Sequence, residues 1–238
     1  MQVPSGAKYT NEDLDILAMM SKCGFVRRSD EPFKLASGIM SHVYVFGRED
    51  LTDNPQLASL IGLKLARVVY DNTDLDESRQ QCLIGVPVAG NTLAQAASLS
   101  SLSLLKEMAW TAQPIGHRVM REQPKQHGAH KKVWINGRPD LARHQYWWID
   151  NVVTDGRSKV VAAERGIEDG YPGHEMPCLI WIDRQQGAVP RLTAAGFQKI
   201  VVVYNLLDIT YAYGELGMWS KTAVAAVEEE IKAHQFSV

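Results

Sequence analysis

Residues Tyr146 to Ser158, YWWIDNVVTDGRS, decide the fold. An apolar strand leads into Asp150 and then into a turn of small and polar residues, and an amphipathic helix is expected from Lys159 to Gly166. Such a turn leaves backbone N–H groups free to wrap a phosphate, and the helix N-terminus adds the positive end of its dipole. Asp150, at the expected strand tip, suits sugar hydroxyls or a metal ion. The stretch therefore predicts a sugar-phosphate site at the carboxyl edge of a sheet.

Composition narrows the class of protein. The chain has 238 residues, 45% of them hydrophobic, which suffices for one large domain with a sizeable core. A formal net charge of −2 gives no reason to expect a nucleic acid or an anionic membrane as partner. No apolar run approaches the roughly 20 residues of a membrane span, and the first residues lack the apolar core of a signal peptide. Three widely spaced cysteines, Cys23, Cys82 and Cys178, predict buried reduced thiols and a cytoplasmic location.

Short apolar strands alternate with helices along most of the chain. Strands are expected at Cys82–Val86, Pro114–Met120, Tyr146–Ile149, Pro177–Ile182 and Lys199–Tyr204, and short strands around a Ser37-Gly38 turn are expected within Phe25–Val45. Helices are expected over residues 11–24, 54–70, 92–105 and 189–195, and from about residue 207 to the end, where Glu228–Glu230 is expected to form an exposed face. This alternation predicts an α/β fold with a mainly parallel sheet flanked by helices. The irregular stretch at 121–145 is long enough to indicate a lid or a functional arm.

Four blocks of sequence, in this order, resemble the type I phosphoribosyltransferases and, within them, the orotate phosphoribosyltransferases. The blocks are Phe33–Gly38 followed by Ser41 and Tyr44, then Gly85–Gly90, Arg121–Gly128 and the 146–158 stretch. Asp183-Arg184 also matches an Asp-Arg pair of the family. The resemblance implies a single domain over residues 1–238, with an N-terminal hood over about 1–50, an α/β core over about 51–238 and a mobile loop over 121–137.

The resemblance also implies a reaction. Orotate attacks C1′ of phosphoribosyl pyrophosphate, and pyrophosphate leaves together with Mg²⁺. Arg121, Lys125 and His127 would stabilise the departing charge, and the loop that carries them would reach into a neighbouring subunit, which implies a homodimer. Asp150 would hold ribose hydroxyls as a fourth catalytic residue and would act on the metal only indirectly.

The resemblance assigns two sets of binding residues. Those for phosphoribosyl pyrophosphate are Asp150, Asn151, Val152, Val153, Thr154, Asp155, Gly156, Arg157, Ser158, Arg121, Lys125, His127, Val88 and Ala89. Lys34 is added to this set because it lies on the same strand face as Ala36 and can substitute for the family's lysine there. Those for orotate are Tyr44, Thr154 and Arg184, because a planar guanidinium suits the acceptor's carboxylate.

Several charges depart from the family pattern. Ala36, Ala89 and Glu122 stand where lysines are usual, Asn151 replaces an acid, and Asp155 brings a carboxylate close to where a phosphate should lie. Replacement cations are sought among Lys34, Arg157, Lys131, Lys132 and Arg118. Two alternatives therefore stay open: phosphoribosyl transfer to a different base, and a non-catalytic protein that binds phosphoribosyl pyrophosphate or a nucleotide and regulates a partner.

Overall fold

The computed structural model describes residues 1–35, 37–45, 49–73, 79–108, 112–126 and 133–236. The strands are β1 (Val26–Lys34), β2 (Met40–Val45), β3 (Gln80–Gly85), β4 (Gly116–Val119), β5 (His144–Val153), β6 (Cys178–Asp183) and β7 (Ile200–Asn205). The helices are α1 (Asn11–Cys23), α2 (Glu49–Asp53), α3 (Pro55–Asp71), α4 (Ala89–Met108), α5 (Arg157–Glu168), α6 (Ala188–Ala194), α7 (Leu206–Glu215) and α8 (Lys221–Ala233). Across these ranges, no helix combines the length and the apolar character that crossing a membrane requires.

Five strands form one parallel sheet in the order β4-β3-β5-β6-β7. Successive side chains of a strand point to opposite faces, and β5 follows this rule with large residues. Trp147 packs into one hydrophobic cluster with Ile16, Leu65 and Ile209, and Trp148 packs into a second cluster with Ala162 and Leu192. Helices therefore cover both faces of the sheet, and the predicted α/β fold is confirmed.

The end of β5 and the start of α5, on either side of the β5–α5 loop, differ from those expected. Strand β5 extends to Val153 because Val152 and Val153 still pair with β6, opposite Ile182 and Asp183. Asp150 therefore lies inside the strand rather than at its tip, which corrects the expectation from the sequence. Helix α5 begins at Arg157, two positions before the expected Lys159, so the loop between strand and helix is shorter than the sequence pattern indicated.

Strands β1 and β2 form a separate antiparallel pair within the segment of about residues 1–50 that was expected to form the hood. From here on, the word hood refers to this strand pair and its connecting turn. The last helix holds this hood: Glu230 of α8 accepts hydrogen bonds from the Ser41 hydroxyl and, at 2.8 Å, from the His42 backbone N–H. The Glu230 side chain is only 10% exposed. The expectation that Glu228–Glu230 forms an exposed face is therefore wrong for Glu230, because its carboxylate satisfies polar groups of the hood.

Candidate functional site

A cavity of about 840 Å³ lies at the carboxyl ends of β3 and β5, beneath the hood. It brings together most of the residues that the sequence predicted for a phosphoribosyl ligand. Those that line it are Tyr44, Val88, Ala89, Asp150, Asn151, Val152, Thr154, Asp155, Gly156, Arg157 and Ser158. Among the other predicted residues, Lys34, Arg121, Lys125, Val153 and Arg184 are outside its lining, and His127 lies outside the described residues.

The loop after β3 forms one wall of the cavity through close backbone packing. A Cβ atom on Gly90 would lie 2.3 Å from the Ile149 carbonyl oxygen, and one on Gly85 would lie 2.3 Å from the Asn91 nitrogen. Glycine is therefore required at both positions: Gly85 lets the start of α4 approach β3, and Gly90 lets it approach β5. The peptide bond between Pro87 and Val88 is cis.

The β5–α5 loop forms the floor and presents the N-terminus of α5 to the cavity. Gly156 adopts a left-handed conformation, with φ of 81°, and caps the helix. The Asp155 carboxylate turns towards this helix end: Oδ1 accepts the Arg157 N–H at 3.1 Å, and Oδ2 lies 3.6 Å from Arg157 Nη2. A negative group of the chain itself therefore engages one of the amides that was predicted to wrap a phosphate.

Asp150 is buried and already has a counter-ion. Its Oδ1 accepts the Asn151 N–H at 2.8 Å, and its Oδ2 lies 2.5 Å from Lys159 Nζ. Lys159 lines the cavity, is 2% exposed and also donates to the Val152 carbonyl. The sequence analysis missed this lysine. One signal was available, because a lysine in the first turn of a helix is disfavoured by the helix dipole and needs another reason to be there.

The described side chains do not fit a metal held by the protein alone. Within the ranges that the structure covers, no group of three or more His, Cys, Asp or Glu side chains is placed to hold a metal ion. Asp150 is paired with an ammonium, and its neighbour Asn151 is a neutral amide. A divalent ion at this site would therefore need most of its ligands from the substrate.

Arg184 lies under the hood rather than in the cavity lining. It is 1% exposed, and its Nη1 donates to the Val43 carbonyl at 2.9 Å while Nη2 donates to Ser41 Oγ at 2.8 Å. Burial lowers the pKa of this guanidinium to about 10, against the opposing effect of the nearby Glu230 carboxylate. Its role in binding an acceptor carboxylate stays a prediction, and that role requires the buried guanidinium to become accessible to the ligand.

The described ends of the 121–137 stretch run antiparallel to each other. Arg121 N–H donates to the Trp134 carbonyl at 2.8 Å, and Lys125 N–H donates to the Val133 carbonyl at 3.0 Å. These paired ends, called the stem, are fixed to the end of α5, since Asp169 Oδ2 accepts the Trp134 N–H at 2.8 Å. One terminal nitrogen of Arg121, Nη1, is buried without a hydrogen-bond partner. It is a donor that a ligand or a shift of the stem could satisfy.

The cations considered as replacements have different positions. Arg157 lines the cavity, whereas Lys34 is exposed at the end of β1, opposite Met40. Arg118 is engaged elsewhere, because it donates to the Asn136 carbonyl and to the Tyr146 hydroxyl. Lys131 and Lys132, like Ala36, lie outside the described residues. Arg157 and the unforeseen Lys159 thus bring positive charge to the cavity.

Comparison with known proteins supports the fold. No family profile matches the chain, and no curated protein matches its sequence. The UMP synthase of Leishmania donovani superposes with a TM-score of 0.71 at 20% identity, covering 92% of this chain and 42% of that one. The chain thus spans less than half the length of that protein.

Two solved orotate phosphoribosyltransferases match over nearly their whole length. The enzyme from Francisella tularensis has a TM-score of 0.65 at 15% identity, with 93% of this chain and 100% of that one covered. The enzyme from Aeropyrum pernix has a TM-score of 0.58 at 24% identity, with 86% and 99% covered. The fold is therefore that of the type I phosphoribosyltransferases, as the sequence predicted.

Proposed function

We propose that this chain transfers the 5-phosphoribosyl group from phosphoribosyl pyrophosphate to orotate, giving orotidine 5′-monophosphate and pyrophosphate. The observation that carries the proposal is that all four predicted segments contribute to the lining of one cavity: the loop after β3, the β5–α5 loop, the hood and, through Glu122, the block that begins at Arg121. The solved structures named above support it, since two of them are orotate phosphoribosyltransferases with this fold.

In this proposal each wall has one task. The amides and hydroxyls of Thr154–Ser158 bind the 5′-phosphate at the α5 N-terminus. Asp150 accepts hydrogen bonds from ribose hydroxyls and orients the sugar. Val88 and Ala89 contact the pyrophosphate through their backbone. The described side chains offer no complete ligand set for Mg²⁺, so the ion would be held mainly by the substrate, where it would neutralise part of the pyrophosphate charge.

The 121–137 loop acts on the leaving group. Arg121, Lys125 and His127 supply positive charge where the C1′–O bond breaks, which stabilises the departing pyrophosphate. A loop that reaches the site of a neighbouring subunit makes a homodimer part of the proposal, and a cytoplasmic location also stays a prediction.

One observation favours a second candidate function, transfer to a base without a carboxylate. Among the described residues, those of the hood that line the cavity are Ser37, Tyr44 and Val45, and none of these three is charged. Arg184, the predicted carboxylate partner, is held by Val43 and Ser41. A base without a carboxylate needs no contact with Arg184, whereas orotate would need this buried guanidinium to become accessible from the cavity.

A steady-state assay of the full chain decides between the candidates. Orotate, uracil, adenine and hypoxanthine are each supplied with phosphoribosyl pyrophosphate and Mg²⁺, and product is quantified by chromatography. We expect orotate to give the highest kcat/KM. A different best base supports the second candidate, and calorimetric binding of phosphoribosyl pyrophosphate without turnover supports the non-catalytic alternative. Neither binding nor turnover with any base contradicts the phosphoribosyl assignment itself.

A further inference from the structure

We infer that Lys159 is a positioning residue that serves as the fixed counter-ion of Asp150, so that Asp150 binds ribose hydroxyls and does not bind a divalent cation. The inference rests on the proposed function for the identity of the sugar. It goes beyond that function because it assigns a positioning role to Lys159 of α5 and excludes a metal-binding role for Asp150.

The ammonium of Lys159 is fully engaged. Nζ lies 2.5 Å from Asp150 Oδ2, donates to the Val152 carbonyl and lies 3.3 Å from Ser158 Oγ. An ammonium has three N–H donors, and three partners surround it here. Both side chains of the ion pair are less than 10% exposed, at 3% for Lys159 and 9% for Asp150. The charge is therefore held in one place beneath the cavity.

Each residue of the ion pair also depends on the other for its burial. Lys159 lies in the first turn of α5, where the helix dipole opposes a positive charge, so its burial depends on Asp150. Asp150 likewise depends on Lys159, because a buried carboxylate without a counter-charge is strongly disfavoured. Removing either partner leaves the other charge unpaired.

This arrangement selects the kind of ligand that Asp150 can accept. A carboxylate offers about four lone-pair positions, and the Asn151 N–H and the Lys159 ammonium occupy two of them. The remaining positions suit neutral hydroxyl donors. A divalent cation on Asp150 would lie within a few ångströms of the ammonium, where like charges repel strongly in a buried site. Ribose hydroxyls therefore fit Asp150, and Mg²⁺ does not.

Binding of Mn²⁺, measured by electron paramagnetic resonance without phosphoribosyl pyrophosphate, tests the metal half of the inference on the full chain. We expect no Mn²⁺ binding that depends on Asp150 in the unmodified protein, and hence identical titrations for it and for Asp150→Asn. Lys159→Met should expose the carboxylate and tighten Mn²⁺ binding by about tenfold, and adding Asp150→Asn to Lys159→Met should abolish that gain. Lys159→Arg, which keeps the charge, should behave like the unmodified protein.

Affinity for ribose 5-phosphate, measured by metal-free calorimetry, tests the positioning half. Lys159→Met should weaken it by about tenfold, and Lys159→Arg should restore most of the loss. Circular dichroism checks that each variant folds, and if Lys159→Met does not fold, the unmodified protein and Asp150→Asn decide the metal question alone. The inference is overturned if the unmodified protein binds Mn²⁺ and Asp150→Asn does not. It is also overturned if Lys159→Met has the same affinities for Mn²⁺ and for ribose 5-phosphate as the unmodified protein. Neither readout needs turnover, so failure of the proposed reaction is distinguishable from failure of this inference.

Discussion

The Glu230 carboxylate accepts the backbone N–H of His42 at 2.8 Å, which joins the last helix to the hood. Its other oxygen lies 3.7 Å from Arg184 Nη2, so one acid serves both the hood strand and a buried guanidinium. The position of the hood over the cavity therefore depends on a residue that is distant in sequence and outside every predicted motif.

Glu230→Ala should lower the free energy of unfolding by about 3 kcal/mol, because it leaves the buried Arg184 charge without its counter-charge. Glu228→Ala is the matched control on the same helix: its ion pair with Lys232 is exposed and should contribute only about 0.3–0.5 kcal/mol. Urea denaturation of the three proteins measures both effects. Equal losses in the two variants would contradict the role of Glu230.

Asp155→Asn should tighten the binding of ribose 5-phosphate by about tenfold, since it removes a negative charge from the α5 N-terminus where the phosphate is proposed to bind. The asparagine can still accept the Arg157 N–H, so the loop keeps its local cap. Isothermal titration calorimetry measures the change. Glu164→Gln, at an exposed position of α5, controls for net charge and should leave the affinity unaltered. An unchanged affinity in Asp155→Asn would place the phosphate elsewhere.

Gly90→Ala should abolish activity and destabilise the fold by about 2 kcal/mol or more, because its Cβ would lie 2.3 Å from the Ile149 carbonyl oxygen. Gly116→Ala is the control: its Cβ would meet only the Gln80 side chain, at 3.4 Å. Thermal denaturation and the steady-state assay report the two consequences. Two variants of equal stability would show that the close approach of α4 to β5 is not needed.

Lys125→Ala should lower kcat by about 100-fold while KM for phosphoribosyl pyrophosphate changes by less than about threefold, because the ammonium is proposed to act on charge that develops as pyrophosphate leaves. Gln126→Ala, at the exposed neighbouring position, should leave both constants near those of the unmodified protein. Steady-state kinetics with each variant measure the split. A rise in KM with kcat unchanged would assign Lys125 to ground-state binding instead.

The stability of the fold should fall in acid through Asp13. Burial raises the pKa of this carboxyl, but hydrogen bonds from Lys64, Tyr204 and Thr10 together outweigh that effect and lower the pKa below its ordinary 3.8. A depressed folded-state pKa stabilises the fold above the unfolded value, and this contribution is lost as the pH falls through the folded value.

Asp13→Asn removes this titration. The stability advantage of the unmodified protein over Asp13→Asn should therefore be full at pH 7 and shrink as the pH falls below the ordinary carboxyl value of 3.8, as followed by urea unfolding at several pH values. Asp15→Asn, an exposed neighbour on the same helix, is the control for loss of charge. An advantage that does not depend on pH would contradict the role of the Asp13 carboxylate.

The sequence predicted those features of the fold that depend on the local pattern of residues. The order of strand, loop and helix around Asp150 is a property of adjacent residues, and the apolar run from Tyr146 to Ile149 indicated the strand. The end of β5 could not be placed correctly, because Val152 and Val153 become strand residues only through their pairing with β6.

Contacts made by long side chains across the fold were not predictable in the same way. Lys159 reaches back beneath its own loop to Asp150, and the direction of a flexible four-carbon stem cannot be read from spacing. Arg184 finds partners in the hood that are 141 and 143 residues away. The sequence supplied many of the residues that line the cavity but missed Lys159 and Arg165, and the pairing of the cavity's charges required the fold.

Trp134 gives the protein an optical reporter of its own cavity. Its indole N–H donates to Glu168 Oε2 at 2.7 Å, and the guanidinium of Arg165 stacks 4.0 Å from its ring. Arg165 also lines the cavity, so a ligand that binds the Arg165 guanidinium changes the electric field at the indole. The emission of Trp134, one of the six tryptophans of the chain, should therefore shift when a ligand occupies the cavity, without any added dye.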